Sequence, residues 1–284
     1  MADPLGLIAG DGRFPIEIAR AARRRGRRVV AVAFRELSSP ALAAEVDELS
    51  WLHLGQVGTL VETLRAAGAC EVVMAGKVPK LHLYGDPARH RPDALALELV
   101  ESLRDRRDAS NLGALAALLE NRGIRLLPQA ELVPELMAAP GPQGAVDASP
   151  AQLGDAAFGW AIAKTLATQG VGQTVVVRER AVVALEALEG TDEAIRRGAA
   201  LAGPGVCVVK VSMAGQDPRF DLPAIGPGTL EVLEEVQAAM LAFEAGKTVL
   251  LERGEVVRRA DAAGIALLGF AATGPEPPTP EEPI

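Results

Sequence analysis

Asp217, Arg219 and Asp221 stand at alternate positions in QDPRFDLPAIG, residues 216–226. In an extended segment alternate side chains share one face, so two carboxylates and a guanidinium project together. Holding such charges side by side is costly unless something uses them. A second acidic group lies upstream in ALEALEGTDEAIRR, which carries Glu186, Glu189, Thr191 and Asp192 at a strand-to-helix transition. A helix start explains Asp192 and Glu193, because acidic residues are favourable in a first turn. It does not explain Glu186, which sits in an apolar run where an unpaired carboxylate is expensive. If the two segments converge, Glu186, Glu189, Asp192, Asp217 and Asp221 offer hard oxygen ligands suited to magnesium or manganese. Lys210, in the strand-like VCVVKVS, and Arg219 are then available to phosphate oxygens, the arginine in bidentate fashion. Gln216 and Thr191 complete the candidate substrate contacts of this half.

The first half offers a weaker constellation. Gly10-Asp11-Gly12 follows an apolar run and precedes a helical pattern, and such turns cradle phosphates through backbone amides. The third glycine of a dinucleotide fingerprint is missing, Pro15 stands in its place, and Asp11 would repel a pyrophosphate. A tight strand-to-helix turn explains the glycines as well as a ligand does. Ala75-Gly76-Lys77 ends another apolar run; at the carboxyl ends of a parallel sheet both turns face one crevice, where Lys77 would meet an anionic group or stay solvated. His53, His82 and His90 show no metal-ligand spacing. There is no Gly-x-Ser-x-Gly elbow and no Walker loop, which disfavours a serine triad and a nucleotide-triphosphate switch.

The elements that must position these residues follow from the hydrophobic pattern. Strand-like runs at Leu5–Gly10, Val29–Phe34 and Glu71–Ala75 alternate with helical Pro15–Gly26 and Val57–Ala67. That alternation predicts an α/β, Rossmann-like parallel-sheet domain over residues 1–137. Residues from about Leu95 to Ile124 read as two helices, and Arg125–Leu127 adds a strand. AAPGPQGAVDASP, residues 138–150, reads as a linker. In residues 151–272 strands stand side by side before the helices, which predicts a mixed α+β domain. The acidic, proline-rich tail, 273–284, reads as disordered. Two small-residue stretches, GALAALLE and EVQAAMLAF, read as helices that offer an apolar groove.

Composition narrows the class. Aromatics are 3% and the net charge is −8, which counts against a nucleic-acid surface. Cys70 and Cys207 both lie in apolar runs and are expected as buried thiols, in keeping with a reducing compartment. No secretory signal pattern and no membrane-length apolar run is found, so a cytoplasmic protein is expected.

GLIAGDGRFP, MAGK, GQTVVV…LEALEGTDEAIRR and QDPRFDLPAIG, in that order from about Leu5 to Phe270, resemble the UDP-2,3-diacylglucosamine pyrophosphatase family of lipid A biosynthesis, the type unrelated to calcineurin-like phosphoesterases. The resemblance implies a two-domain, magnesium-dependent enzyme that hydrolyses UDP-2,3-diacylglucosamine to UMP and 2,3-diacylglucosamine 1-phosphate (lipid X), with substrate between the domains. It places the family's essential aspartate on Asp221 and its EGTD on Glu189, Gly190, Thr191 and Asp192. Relatives often carry Lys-Pro where this chain has Met213-Ala214, and a double aspartate where it has Asp108-Ala109. Asp221 is then a metal ligand or a general base, with Arg219 stabilising charge. A lipid substrate implies peripheral contact with the inner membrane surface; a homodimer is compatible with the sequence, which does not give the oligomeric state. Two rival readings are a nucleotide-dependent oxidoreductase or transferase built on the first sheet, and a noncatalytic lipid- or nucleotide-binding protein.

Overall fold

The apolar runs of the first half form, among the described residues, a five-stranded sheet whose pairings are all parallel. The computed structural model describes residues 3–78, 90–103, 108–213, 217, 219, 222–271 and 273–274; the side chains of 108–111 are outside that set. Asp221, Gln216, Ala214, His82 and the tail from 275 lie outside the described residues. Contacts divide the chain into two units, Met1–Glu135 with Asp217–Asp221, and Leu136–Gln216 with Leu222–Ile284.

In the N-terminal unit the strands are β1 (Leu5–Ala9), β2 (Val29–Phe34), β3 (Glu48–Leu52), β4 (Glu71–Ala75) and β5 (Arg125–Leu126), in the spatial order β3-β2-β1-β4-β5. β1 and β2 are buried along their whole length, as strands covered on both faces must be, and therefore read as unbroken apolar runs. Helices α1 (Phe14–Arg24), α2 (Val57–Ala66), α3 (Ala94–Ser102), α4 (Asp108–Glu120) and the single turn α5 (Gln129–Leu132) complete the unit. α1 carries proline in its first turn and buries Phe14, Ile16 and Ile18. Leu60 and Leu64 of α2 and Leu119 of α4 pack with Ile8, Val32 and Val72 of the sheet. β3 was not expected. Among the described residues it is an edge strand, paired with β2 alone and mostly half-exposed, so its sequence ELSWL has no apolar run to betray it. Strand order reverses between β1 and β4, which makes the turns after those two strands the switch point of the sheet.

The C-terminal unit holds, among the described residues, a six-stranded mixed sheet. In chain order its strands are β6 (Gly141–Pro142), β7 (Thr174–Arg178), β8 (Ala181–Leu185), β9 (Cys207–Lys210), β11 (Met240–Glu244) and β13 (Ala266–Phe270). Spatial order is β6-β13-β11-β9-β7-β8, with β9, β11 and β13 parallel and the rest antiparallel to their neighbours. A separate pair joins β10 (Ala224–Ile225) to β12 (Val249–Leu250). Helix α6 (Pro150–Gln169) covers one face, setting Ala156, Trp160 and Ala163 against Val175, Val209 and Ala242. On the other face α7 (Thr191–Ala202), α8 (Pro227–Glu235) and α9 (Arg253–Ala263) bring Ile195, Leu230 and Val256 onto Val176, Val208 and Phe243.

Three local expectations meet a different outcome. Residues 138–150, read from composition as a linker, carry β6, which pairs with β13, and the capping box of Ser149 and Gln152 that opens α6. EVQAAMLAF is not a helix. It closes α8, turns at Gln237 with a positive φ, and becomes the fully buried β11, since a short apolar run fits either element until the sheet claims it. Cys207 is buried on β9 as expected, but Cys70 is exposed in the turn that precedes β4. No helix among the described residues is long and apolar enough to cross a membrane.

Candidate functional site

Successive side chains of a strand point to opposite faces, and the carboxyl edge of β9 uses this to feed two polar clusters. On the face covered by α7, Lys210 is 2% exposed, and its Nζ lies 3.3 Å from Thr191 Oγ1 and 3.4 Å from the Ala224 carbonyl. Thr191 is the first residue of α7, and its hydroxyl donates to Glu186 Oε1 at 3.0 Å while the Thr174 hydroxyl stands 3.3 Å away. Glu186 also accepts from the Gln173 amide at 3.2 Å. The buried carboxylate that the sequence left unexplained is thus satisfied by donors. Gly190, with φ of 87°, makes the turn that aims Thr191 inward, a conformation glycine adopts without strain. Thr191 therefore opens the helix without capping it. Glu189 pairs with Arg197 and accepts from the Ala187 amide. Partial burial acts to raise its pKa, but backbone and Arg197 hydrogen bonds outweigh this and hold it below the usual carboxylate range. Asp192 is a partly exposed first-turn residue, as helix-start logic expects.

On the α6 face of the same edge stands a cluster absent from the expectations. Glu244, the last residue of β11, is fully buried. Its Oε2 accepts from the Ser212 amide at 2.9 Å, the Ser212 hydroxyl at 2.6 Å and Lys164 Nζ of α6 at 2.7 Å. Lys247 Nζ lies 3.1 Å from Oε1. Burial acts to raise the Glu244 pKa, but the Lys164 and Ser212 hydrogen bonds, with Lys247, hold it down at about 2. A signal was available. Glu244 ends the apolar run AMLAFE, and the reasoning that singled out Glu186 applies to it equally.

In the N-terminal unit the two glycine turns at the switch point meet each other. Asp11 N donates to the Lys77 carbonyl at 2.8 Å and Lys77 N to the Asp11 carbonyl at 2.9 Å. A Cβ on Gly10 would stand 2.6 Å from the Lys77 carbonyl oxygen, and one on Gly76 would stand 2.6 Å from that of Asp11. Close backbone approach therefore demands both glycines. The Asp11 and Lys77 amides are spent on this bridge, and the Gly12 amide donates to Asp11 Oδ1 at 2.7 Å. A phosphate cradle of free amides, which the oxidoreductase or transferase reading needs, is not what this turn presents. Nearby, at the carboxyl ends of β2 and β3, His53 Nδ1 lies 2.6 Å from Glu36 Oε1.

The opening triad is described at two of its three members. Arg219 grips Asp217 through Nε at 2.8 Å to Oδ1 and Nη2 at 2.6 Å to Oδ2, and it also pairs with Glu120 of α4. The Arg219 hydrogen bonds hold the Asp217 carboxyl below its usual range. Of the five carboxylates nominated as metal ligands, Glu186, Glu189 and Asp192 belong to the C-terminal unit, while Asp217 and Asp221 group with the N-terminal one. Glu186, Glu189 and Asp217 already have partners, and among the described residues no three His, Cys, Asp or Glu side chains gather as a metal centre. The described residues therefore do not fit a metal site by themselves.

Comparison with known proteins decides the family. The LpxI N-terminal domain model matches residues 4–136 and the LpxI C-terminal domain model matches residues 139–268. UDP-2,3-diacylglucosamine pyrophosphatase LpxI of Caulobacter vibrioides is 30% identical over 281 residues, spanning 93% of this chain and 96% of that protein. The chain belongs to the LpxI family. Among solved structures, the biotin carboxylase domain of a thermophilic 2-oxoglutarate carboxylase is 17% identical with a TM-score of 0.27, covering 72% of this chain and 34% of that one. Phosphoribosylglycinamide synthetase from Anaerococcus prevotii is 11% identical with a TM-score of 0.25, covering 73% and 45%. The chain spans less than half of either, and a likeness at that level carries no functional argument. Both LpxI domain models fall on the two units, and the EGTD and Lys210 cluster lies inside the C-terminal one.

Proposed function

We propose that this protein hydrolyses UDP-2,3-diacylglucosamine to UMP and 2,3-diacylglucosamine 1-phosphate, a step of lipid A biosynthesis. The observation that carries the reading is the end-to-end match to LpxI, whose Caulobacter member is named for this pyrophosphatase activity. In the reaction, water adds to one phosphorus of the anhydride, the bridging bond breaks, and the other phosphate leaves. Charge grows on the bridging and nonbridging oxygens, and cations aimed at them lower the barrier. Lys210, held on Thr191 at the carboxyl edge of β9, supports such a role. Arg219 takes part by exchanging a carboxylate partner for phosphate, since its guanidinium is engaged by Asp217 and Glu120. Asp221 is assigned the water-activating or metal-holding role on the strength of the RxDLP resemblance. The lipid substrate and product support a peripheral contact with the inner membrane surface as part of this reading.

Magnesium dependence is a separate proposition, because the described carboxylates do not build its site. Incubating the purified protein with UDP-2,3-diacylglucosamine, with magnesium and then with excess chelator, and identifying products by mass, tests both. UMP and lipid X are expected, with turnover lost on chelation. Absence of these products from folded protein overturns the reaction; turnover undiminished after verified metal removal overturns only the metal.

A further inference from the structure

Glu36 stands in the turn that follows β2, and His53 is the first residue after β3, so both lie at the carboxyl edge of the N-terminal sheet. Their backbones are held in place. Arg35 N donates to the Leu52 carbonyl at 2.9 Å and His53 N to Gln56 Oε1 at 2.8 Å. With its Nδ1 2.6 Å from Glu36 Oε1, the neutral His53 ring carries its proton there, which leaves Nε2 as an acceptor on the far side of the ring. Burial acts to raise the Glu36 pKa, but the His53 hydrogen bond and the Glu36 amide, with the charge of nearby His90, hold it below the usual carboxylate range. Tying the two turns together needs only Oε1. Glu36 Oε2 is buried with no hydrogen-bond partner among the described residues, a costly state for a charged oxygen. The side chains of Glu36 and His53 remain 17% and 19% exposed, which keeps the pair within reach of a ligand.

We propose that Glu36 and His53 bind the ribose of the nucleotide half of the substrate, Glu36 accepting from one hydroxyl and His53 Nε2 from the other. The proposal rests on the hydrolase reading above for the identity of the nucleotide. Two adjacent acceptors match a vicinal diol, and the Glu36 charge repels phosphate. The ribose offers such a diol; the glucosamine half carries acyl groups at positions 2 and 3 and does not. Position agrees with chemistry. In open parallel sheets ligands lie outside the carboxyl ends of the strands, and an acidic residue about 20 positions beyond the first glycine turn receives a ribose hydroxyl. Glu36 holds that place after β2, which lies directly beside β1 and its Gly10–Gly12 turn. A ribose contact does not require the free amides of a phosphate cradle, so the Asp11–Lys77 bridge leaves it intact.

The test measures, by calorimetry on the full chain, the binding of UMP and of its 2′-deoxy and 3′-deoxy analogues to the wild-type protein, Glu36→Ala and His53→Phe, with melting temperatures to show that each is folded. The wild-type protein is expected to bind UMP about 10-fold more tightly than either analogue, the loss that follows when an acceptor built for a hydroxyl is left without one. His53→Phe is expected to lose the preference for one hydroxyl. Glu36→Ala is expected to lose it for both, because His53 loses its anchor too, and to bind all three ligands within about twofold of one another. Equal binding of UMP and both analogues by the wild-type protein overturns the proposal, as does an absence of UMP binding. A full preference kept by a folded variant overturns it as well; the two residues are varied separately, so one misfolded variant leaves the other to decide. Hydrolysis of UDP-2,3-diacylglucosamine by the same preparation separates the two readings. A ribose preference without turnover strikes the hydrolase reading alone, and turnover without a ribose preference strikes this proposal alone.

Discussion

Glu244 carries a charge with no solvent exposure because Ser212 and Lys164 donate three hydrogen bonds to one of its oxygens. Its folded pKa is depressed, to about 2, so its stabilising contribution is complete above the ordinary carboxylate pKa and is lost as pH falls from about 4.5 toward about 2. Denaturant unfolding at several pH values should show this acid limb in the wild-type protein and a shallower one in Glu244→Gln; equal slopes would contradict the assignment. Asp221→Asn is the corresponding test of the reacting carboxylate. It keeps shape and one acceptor oxygen but loses the charge and the ability to take a proton. If Asp221 is the base, kcat should fall about 10²–10⁴-fold with the melting temperature retained. If it is chiefly a metal ligand, added magnesium should restore part of the rate. A purely structural ion pair within QDPRFDLP is the alternative, and it has support at Asp217 and Arg219, which clamp each other. It predicts the reverse pattern for Asp221→Asn, a lower melting temperature with normal specific activity.

Among the elements, the paired turns after β1 and β4 show how a ligand-binding pattern also has a structural cause. Gly10 and Gly76 are demanded by two backbones that hydrogen-bond across the switch point, irrespective of any bound phosphate. Gly10→Ala forces its Cβ against the Lys77 carbonyl oxygen, and Gly76 has the further constraint of φ at 93°. Either alanine should destabilise the N-terminal unit by about 1–3 kcal/mol, measurable as a lower unfolding midpoint at unchanged m-value. No loss of stability would mean that the bridge is not rigid. β11 shows the converse problem. MLAFE is built of residues that helices accept, and it became a strand because β9 and β13 flank it and both faces are covered.

For the whole molecule, the residues that the sequence nominates for substrate are distributed over both units: Gly10, Asp11, Gly12 and Lys77 in one, Thr191 and Lys210 in the other. Neither half alone should turn over substrate. A C-terminal fragment for this test should begin near Leu136, because β6 pairs with β13 and Ser149 caps α6. Full activity from that fragment, once circular dichroism shows it folded, would remove the N-terminal unit from the site.

Period and punctuation in the sequence were enough for the Rossmann-like sheet, the helices α1, α2 and α6 and the mixed second sheet, because buried parallel strands and capped helices leave strong local patterns. The order of motifs from GLIAGDGRFP to QDPRFDLPAIG was enough for the family. Local pattern does not encode which strand lies next to which, so the edge strand β3, the strand character of β11 and the ordered role of 138–150 emerged only in the fold. The same holds for side-chain partners. That Glu186 meets the Gln173 amide, and that Glu244 gathers Ser212 and Lys164, depends on contacts between residues on different elements of the chain. A buried carboxylate announces its cost in one dimension, but the donors that offset it are assembled only in three.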